Sequence, residues 1–454
     1  EKKTVDDFAA HMRTNPFLKE LMETFLHVGG RRGKAGGPGI DFDELGVSEV
    51  VELLDDADME AIVRDFGDRN PDEDPVIHFY EHFLAAYDKD QKIQRGVFYT
   101  PRPVVSYIVR SVHELLKSEF GLADGLADTT TWGEMAKSYT ELTIPEGVSP
   151  DQDFVQVLDP ATGTGTFLIE VIDVVYETLV AKWEAEGYRQ SEIVELWNEY
   201  VPMHLLTRLH GYELLMAPYA IAHLKVGLKL FETGYRFEND QRVRVYLTSA
   251  LEPVWENNKQ ATFEEMMPAL AHEVREVNDI KNECNFTIVI ANPPYSDASQ
   301  NIGPQFAQLI EPFRYYGGER IRERGAIRFE HVINNDYVKF LGLAIREIRK
   351  IDVGIICYIT SSSYLGGKSF RGVRSAMTDL CQNIQILDLH GEGWSGALEE
   401  TRGVDENVFD IQTGVAICRM SRLLQKKVST VEYGEIIGTR KHKSSELNSQ
   451  NNGV

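Results

Sequence analysis

The sequence predicts an α/β fold, a doubly wound and mostly parallel seven-stranded sheet preceded by an N-terminal helical domain. Three observations carry this expectation. Between about Gln91 and Met420, short apolar stretches alternate with amphipathic stretches of helical period, the pattern of parallel strands joined through crossover helices. One of those strands runs straight into the glycine-rich "DPATGTGTFL" (Asp159 to Leu168), at the place where an open parallel sheet receives a ligand. Up to about Asp88 the apolar spacing is helical, broken by "VGGRRGKAGGPG" (Val28 to Gly39), which reads as a flexible loop.

In chain order the expectation is a helical domain over 1–90, a sheet domain over 91–421 and a polar tail over 422–454. "GVFYTP" (Gly96 to Pro101) reads as a helix start, with Thr100 capping and Pro101 at the first helical position. The helix "VVSYIVRSVHELLKSEF" follows. The candidate strands are "DFVQVLD", "RLHGYE", "RVRVYLT", "FTIVIAN", "VGIICYIT", "IQILDLH" and "GVAICRM", with helices such as "FLIEVIDVVYETLVAKW" between them. After Met420 the chain turns polar and ends in "SSELNSQNNGV", without a recognisable fold. There is no internal repeat.

Composition narrows the class. A chain of 454 residues with 43% hydrophobic and 26% charged residues is an ordinary globular protein of two to three domains. No apolar run is long enough to span a bilayer, and "EKKTVDDFAA" is not a signal peptide, so a cytoplasmic location is expected. The four cysteines lack metal-ligand spacing and read as buried, reduced thiols. The net charge of −24 opposes contact with nucleic acid taken as a sum, but it is unevenly spread. Acidic residues crowd Asp41 to Asp65, while "GGERIRERGAIR", "GGKSFRGVR" and "RKHK" are basic islands, each of which taken alone reads as solvated surface.

The chemistry gathers at strand ends. Gly163 and Gly165 allow a tight turn and close approach of a ligand backbone, and the helix that follows offers unpaired N–H groups. The dinucleotide fingerprint is excluded, because Leu168 stands where its third glycine would be. Glu213, closing "RLHGYE", is placed to accept hydrogen bonds from two ribose hydroxyls. "FTIVIANPPYSDAS" (Phe286 to Ser299) carries a buried strand into Asn292-Pro293-Pro294-Tyr295. As a bare turn this is unremarkable, since proline ends a central strand and asparagine favours turns.

Taken together, "GVFYTP", "DPATGTGTFL", "GYE" and "NPPY" in that order resemble the motifs of S-adenosylmethionine-dependent amino-group DNA methyltransferases. The likeness continues through "GIICYITSSSYLGGKSFRGVR", "LDLHG" and "NVFDIQTGVAI", covering roughly Asp74 to Met420, and is most similar to the methyltransferase part of the type ISP restriction-modification enzymes, with type IIG enzymes close behind. The resemblance implies a Rossmann-like methyltransferase sheet, S-adenosylmethionine as cofactor and a flipped-out adenine of double-stranded DNA as substrate. It implies that Asn292, Pro293, Pro294 and Tyr295 form the catalytic motif, in which the Asn292 side-chain oxygen and the Pro293 carbonyl accept hydrogen bonds from the adenine N6 amine and Tyr295 stacks on the base. Thr100, Pro101, Asp159, Ala161, Gly163, Gly165, Glu213 and Ser249 would line the cofactor, Thr100 at its methionine end. No metal is implied.

Two departures stand out. Ser249 occupies a position where the family often has Asp or Asn, and Thr162 replaces a Cys or Ser. A second aromatic for the flipped base is not identified, and His390 in "LDLHG" reads as a structural or capping histidine. The relatives' nuclease and helicase motifs are not found, and a recognition domain is expected after the last strand, so a fragment of a longer protein, partnered by nuclease, helicase or specificity modules, is expected. Two other readings stay open here: methylation of RNA or of a protein amide, and a cofactor-sensing binding module of a larger nuclease or translocase.

Overall fold

The computed structural model describes residues 100–237, 242–253, 268–295, 299, 301–322, 326–392, 404–423 and 428–449. The expected N-terminal helical domain, 1–90, lies outside the described residues.

The centre is one sheet of eight strands: β1 (Val157–Asp159), β2 (Leu209–Glu213), β3 (Arg244–Leu247), β4 (Ile288–Ala291), β7 (Gly354–Ser361), β8 (Asn383–His390), β9 (Val415–Arg422) and β10 (Thr430–Glu435), in the order β10-β8-β9-β7-β4-β1-β2-β3. A separate hairpin, β5 (Tyr315–Tyr316) and β6 (Glu319–Arg320), lies between β4 and β7 in the chain. Pairing in the main sheet is parallel except for β9, which runs antiparallel to both β7 and β8. All seven candidate strands are present. The eighth, β10, comes from the region expected to be a polar tail, where it pairs in parallel with β8 along Asn383–Asp388. Its side chains are mostly exposed, Val431 and Tyr433 included, so the short alternation there buries no face.

The central strands β1, β4 and β7 are buried at every position because both faces are covered. In β7, Ile355, Cys357 and Ile359 enter one core and Ile356 and Tyr358 the other; in β4, Ile288 and Ile290 oppose Val289 and Ala291 in the same way. The first core is closed by α1 (Arg102–Phe120), α3 (Thr166–Ala185) and α5 (Met216–Glu232). Between α1 and α3 lies α2 (Trp132–Ser138), and between α3 and α5 lies α4 (Gln190–Tyr200). The second core is closed by α6 (Pro268–Glu283), α7 (Pro304–Ile310), α9 (Asp336–Ile351) and α10 (Arg371–Leu380), with α8 (Ala326–Ile333) preceding α9. The last helix, α11 (Arg440–Ser449), follows β10 and puts Leu447 into the first core. Cys357, Cys381 and Cys418 are buried and Cys284 partly so, and burial pushes the first three thiols up to about 12.

This order fixes the site. From β1 the chain steps outward to β2 and β3, then returns to β4 on the other side of β1. The carboxyl ends of β1 and β4 therefore flank the switch point, where the two diverging connections leave a crevice for a ligand.

Candidate active site at the switch point

β1 ends on Asp159, whose side chain is fully buried. The Ala161 N–H donates to its Oδ1 at 3.1 Å, while Oδ2 is buried with no hydrogen-bond partner among the described residues. Burial pushes this carboxyl up to about 8; the Ala161 N–H opposes the rise and the negative charge of Glu213 adds to it. The turn that follows is left-handed at both glycines, with φ of +55° at Gly163 and +83° at Gly165. A Cβ on Gly165 would lie 3.3 Å from the Cα and Cβ of Ala222 on α5, so that glycine also serves close packing. At Gly163 the same Cβ would meet nothing within 4 Å among the described residues, which leaves room against the turn.

Glu213 is tied into the same turn. Its Oε2 accepts from the Gly163 N–H at 2.9 Å and its Oε1 from the Leu215 N–H at 2.7 Å, so the carboxylate joins the glycine turn to the end of β2. Gly211 has a role that sequence reasoning missed: a Cβ there would sit 2.4 Å from Thr162 Oγ1. Thr162 in turn donates to the Asp159 carbonyl at 2.9 Å. Ser249 lies just beyond β3, next to Thr248, whose N–H donates to the Glu213 carbonyl at 2.8 Å.

Across the switch point, β4 delivers Asn292. Its Nδ2 donates to Thr100 Oγ1 at 2.9 Å, a contact between residues 192 apart in sequence. This corrects the expected helix start. Pro101 is the residue before α1, with φ −56°, Pro103 stands in the first turn, and the Thr100 hydroxyl makes no capping bond because it faces Asn292 instead. Pro293 is buried and Pro294 partly buried. The Tyr295 phenol donates to the Ile359 carbonyl at 3.3 Å, and burial holds it well above the ordinary tyrosine range. Phe409, from "NVFDIQTGVAI", packs beside Tyr295, its ring centroid 5.7 Å away at an interplanar angle of 53°. Phe409 and Asn407 also line an open cavity of about 890 Å³. His390 does not enter the site: it takes a left-handed φ of +49°, and its Nε2 pairs with Glu435 Oε2 at 3.0 Å, fastening β8 to β10.

Fold and edge geometry thus define a doubly wound α/β domain with a polar crevice at the switch point, its glycine turn on one side and Asn-Pro-Pro-Tyr on the other. Within it, residues 208–394 match the family model of the Eco57I restriction-modification methylase. No curated protein matches the chain. Among solved structures it is similar to DrdV in complex with DNA, with a TM-score of 0.64 and 20% identity over 98% of this chain and 37% of that one. It is similar also to a nuclease-deletion mutant of the type ISP restriction-modification enzyme LlaGI in complex with a DNA substrate mimic, with a TM-score of 0.64 and 20% identity over 96% of this chain and 30% of that one. The type ISP enzyme LlaBIII bound to DNA gives 0.60 and 17% over 100% and 30%. These likenesses establish the fold. The chain spans between 30% and 37% of the length of these three proteins. Among the described residues, no helix is long and apolar enough to cross a membrane.

Proposed function

We propose that this chain is the methyltransferase module of a restriction-modification system, and that it transfers a methyl group from S-adenosylmethionine to N6 of an adenine turned out of duplex DNA. The observation that carries the reading is the Thr100–Asn292 hydrogen bond, which sets a side-chain amide at the end of β4 opposite the glycine turn; of these, Asn292 lies within the segment that matches the methylase family.

The crevice fits the cofactor. A buried carboxyl with Oδ2 unmatched, Asp159, suits a cationic ligand, and the open space against Gly163 admits one. Glu213, at the far end of the turn, suits ribose hydroxyls. When bound, S-adenosylmethionine supplies an electrophilic methyl on a sulfonium.

The chain's own residues address the weak nucleophilicity of an aromatic amine. The exocyclic nitrogen is conjugated with its ring, and acceptors aimed at its hydrogens favour a pyramidal nitrogen with an available lone pair. Thr100 takes the Nδ2 end of the Asn292 amide, which orients Oδ1 as the acceptor end. Pro293 has no N–H and a fixed φ, so its carbonyl is held as the second acceptor. Tyr295, only partly buried and backed by the buried ring of Phe409, is the aromatic residue for a base outside its stack, a contact of about 1–3 kcal/mol per base.

The test is transfer of tritiated methyl from S-adenosylmethionine to genomic DNA lacking adenine methylation, followed by base analysis. Label in N6-methyladenine with the native protein, abolished by Asn292→Ala, is the expected result. Equal incorporation by both, or label only on RNA or protein, overturns it.

A further inference from the structure

Three lysine ammonium groups lie beneath the loops that leave the carboxyl edge of the sheet, and each is fully occupied by a loop. Lys281 of α6 donates to Thr248 Oγ1 at 3.0 Å and to the carbonyls of Ser249 at 2.7 Å and Glu252 at 3.1 Å. Its ammonium also stands 5.6 Å from the Tyr212 ring centroid. Lys339 of α9 is 1% exposed; it donates to Ser299 Oγ at 2.5 Å and the Asn301 carbonyl at 2.9 Å, beside Asp336. Lys443 of α11 is 0% exposed; it donates to the carbonyls of Leu389 at 2.5 Å and Glu406 at 2.6 Å and pairs with Asp405 at 2.7 Å.

A buried ammonium is costly unless its three donors are matched, and an apolar side chain would fill the same space at no such cost. Burial lowers Lys281 to about 8 and lowers Lys339 as well. What the lysines add over apolar packing is direction, because each ties backbone carbonyls of a surface loop to a rigid helix. The loops differ in what they carry. The first holds Ser249 after β3. The second follows Tyr295. The third leads to Phe409, and Arg440 one turn before Lys443 donates to the carbonyls of Asn407 at 2.9 Å and Phe409 at 3.0 Å. The helix that bears both is anchored to α1 by Arg110, which donates to the Leu447 carbonyl at 2.8 Å.

We propose that these are positioning residues with divided tasks: Lys281 sets the loop against which the cofactor binds, while Lys339 and Lys443, the latter with Arg440, set the two loops that receive the methyl acceptor. The proposal rests on the function given above. It also assigns part of the acceptor site to α11, which lies outside the segment matching the methylase family.

The variants are Lys281→Met, Lys339→Met and Arg440→Lys, with the double change Lys443→Met/Asp405→Asn so that Asp405 is not left as a lone buried charge. Each is made in the native protein and measured for calorimetric S-adenosylmethionine affinity, for KM and single-turnover rate of methyl transfer to unmethylated genomic DNA, and for amide exchange. Lys281→Met should weaken cofactor affinity and raise its KM at least fivefold, with the transfer rate within twofold at saturation. The other variants should lower the transfer rate tenfold or more with cofactor affinity within twofold. Faster exchange should be confined to 248–252 in Lys281→Met, to Ser299 and Asn301 in Lys339→Met, and to 389–392 and 404–410 in Arg440→Lys and the double variant. Parallel losses of affinity and rate in every variant, or wild-type values throughout, overturn the proposal. If the native protein methylates no DNA, the proposed function fails, and the cofactor and exchange data decide the division: weakened affinity in Lys281→Met alone supports it, and equal weakening in all overturns it.

Discussion

Asp159 shows how one buried atom makes a measurable proton. Its carboxyl, raised to about 8 by burial, is protonated in the ligand-free chain at neutral pH. A group raised on folding stabilises fully below its unfolded range and loses that contribution as pH climbs through the folded value. The Asp159 contribution to stability should therefore decline between about pH 4 and 8, with a slope approaching about 1.4 kcal/mol per pH unit for one proton. His210 and His223, which burial lowers to about 3, contribute the opposite slope below their ordinary range, so the Asp159 part is read as the difference in thermal unfolding between wild type and Asp159→Asn across the range. A cationic ligand beside the carboxyl would pull it back down, so S-adenosylmethionine should bind with release of a proton below pH 8 and with affinity rising towards it. Calorimetry in buffers of different ionisation enthalpy measures the release. A second prediction concerns Thr100. Thr100→Val should cut methyl transfer by about one to two orders of magnitude, because an amide without its Nδ2 partner loses its orientation, whereas Thr100→Ser should retain most of the rate. The motif residues were legible from sequence as a set. Which atoms of Thr100 and Asn292 meet was not, since local pattern assigned the Thr100 hydroxyl to a helix cap.

At the scale of elements, the glycine turn depends on its neighbour strand as much as on its own glycines. The Thr162 hydroxyl occupies the space that a side chain at position 211 would need. Gly211→Ala should lower stability by about 1–3 kcal/mol and weaken cofactor binding, and adding Thr162→Ala should recover part of both. Differential scanning calorimetry with a cofactor titration tests the pair. In sequence Gly211 is a glycine in a strand and nothing more; its purpose appears only when β2 lies beside the loop after β1. The last strand makes the converse point. β10 closes the β8 edge with its side chains outward, and Tyr433 donates to Asp388 Oδ2 at 3.2 Å. An edge strand exposed on both faces carries only a short apolar alternation, here Val431 and Tyr433, amid polar residues, so it reads as tail. Its glutamates Glu432 and Glu435 are the kind of charged edge that discourages pairing with another chain.

For the whole molecule, charge is arranged against its sum. The net charge is −24, yet two of the three basic islands meet in space. A Cβ on Gly372 of α10 would lie 1.9 Å from the Phe313 carbonyl oxygen, just before β5, and 3.0 Å from Ile321 Cδ1, just after β6, which brings "GGKSFRGVR" against the described start of "GGERIRERGAIR". Arg320, Arg322 and Lys368 are exposed there, with Tyr315 and Tyr316 beside them. Replacing Arg320 and Arg322 by alanine should weaken DNA binding about equally for all sequences and reduce the slope of log affinity against log salt by about 0.9 per lost phosphate contact. A salt titration in which the slope is unchanged removes these arginines from the interface. The third island, "RKHK", reads as solvated surface but turns inward at Lys443.

The sequence by itself determined the alternation of strand and helix, the seven core strands and the order of the glycine turn, Glu213 and Asn-Pro-Pro-Tyr. Those features depend on local period and on the backbone chemistry of glycine and proline, which act within a few residues. The tertiary structure decided which distant groups meet: Thr100 with Asn292, Phe409 with Tyr295, and Lys443 with the Glu406 carbonyl. Such contacts follow from strand order, and strand order is settled by packing both faces of the sheet at once.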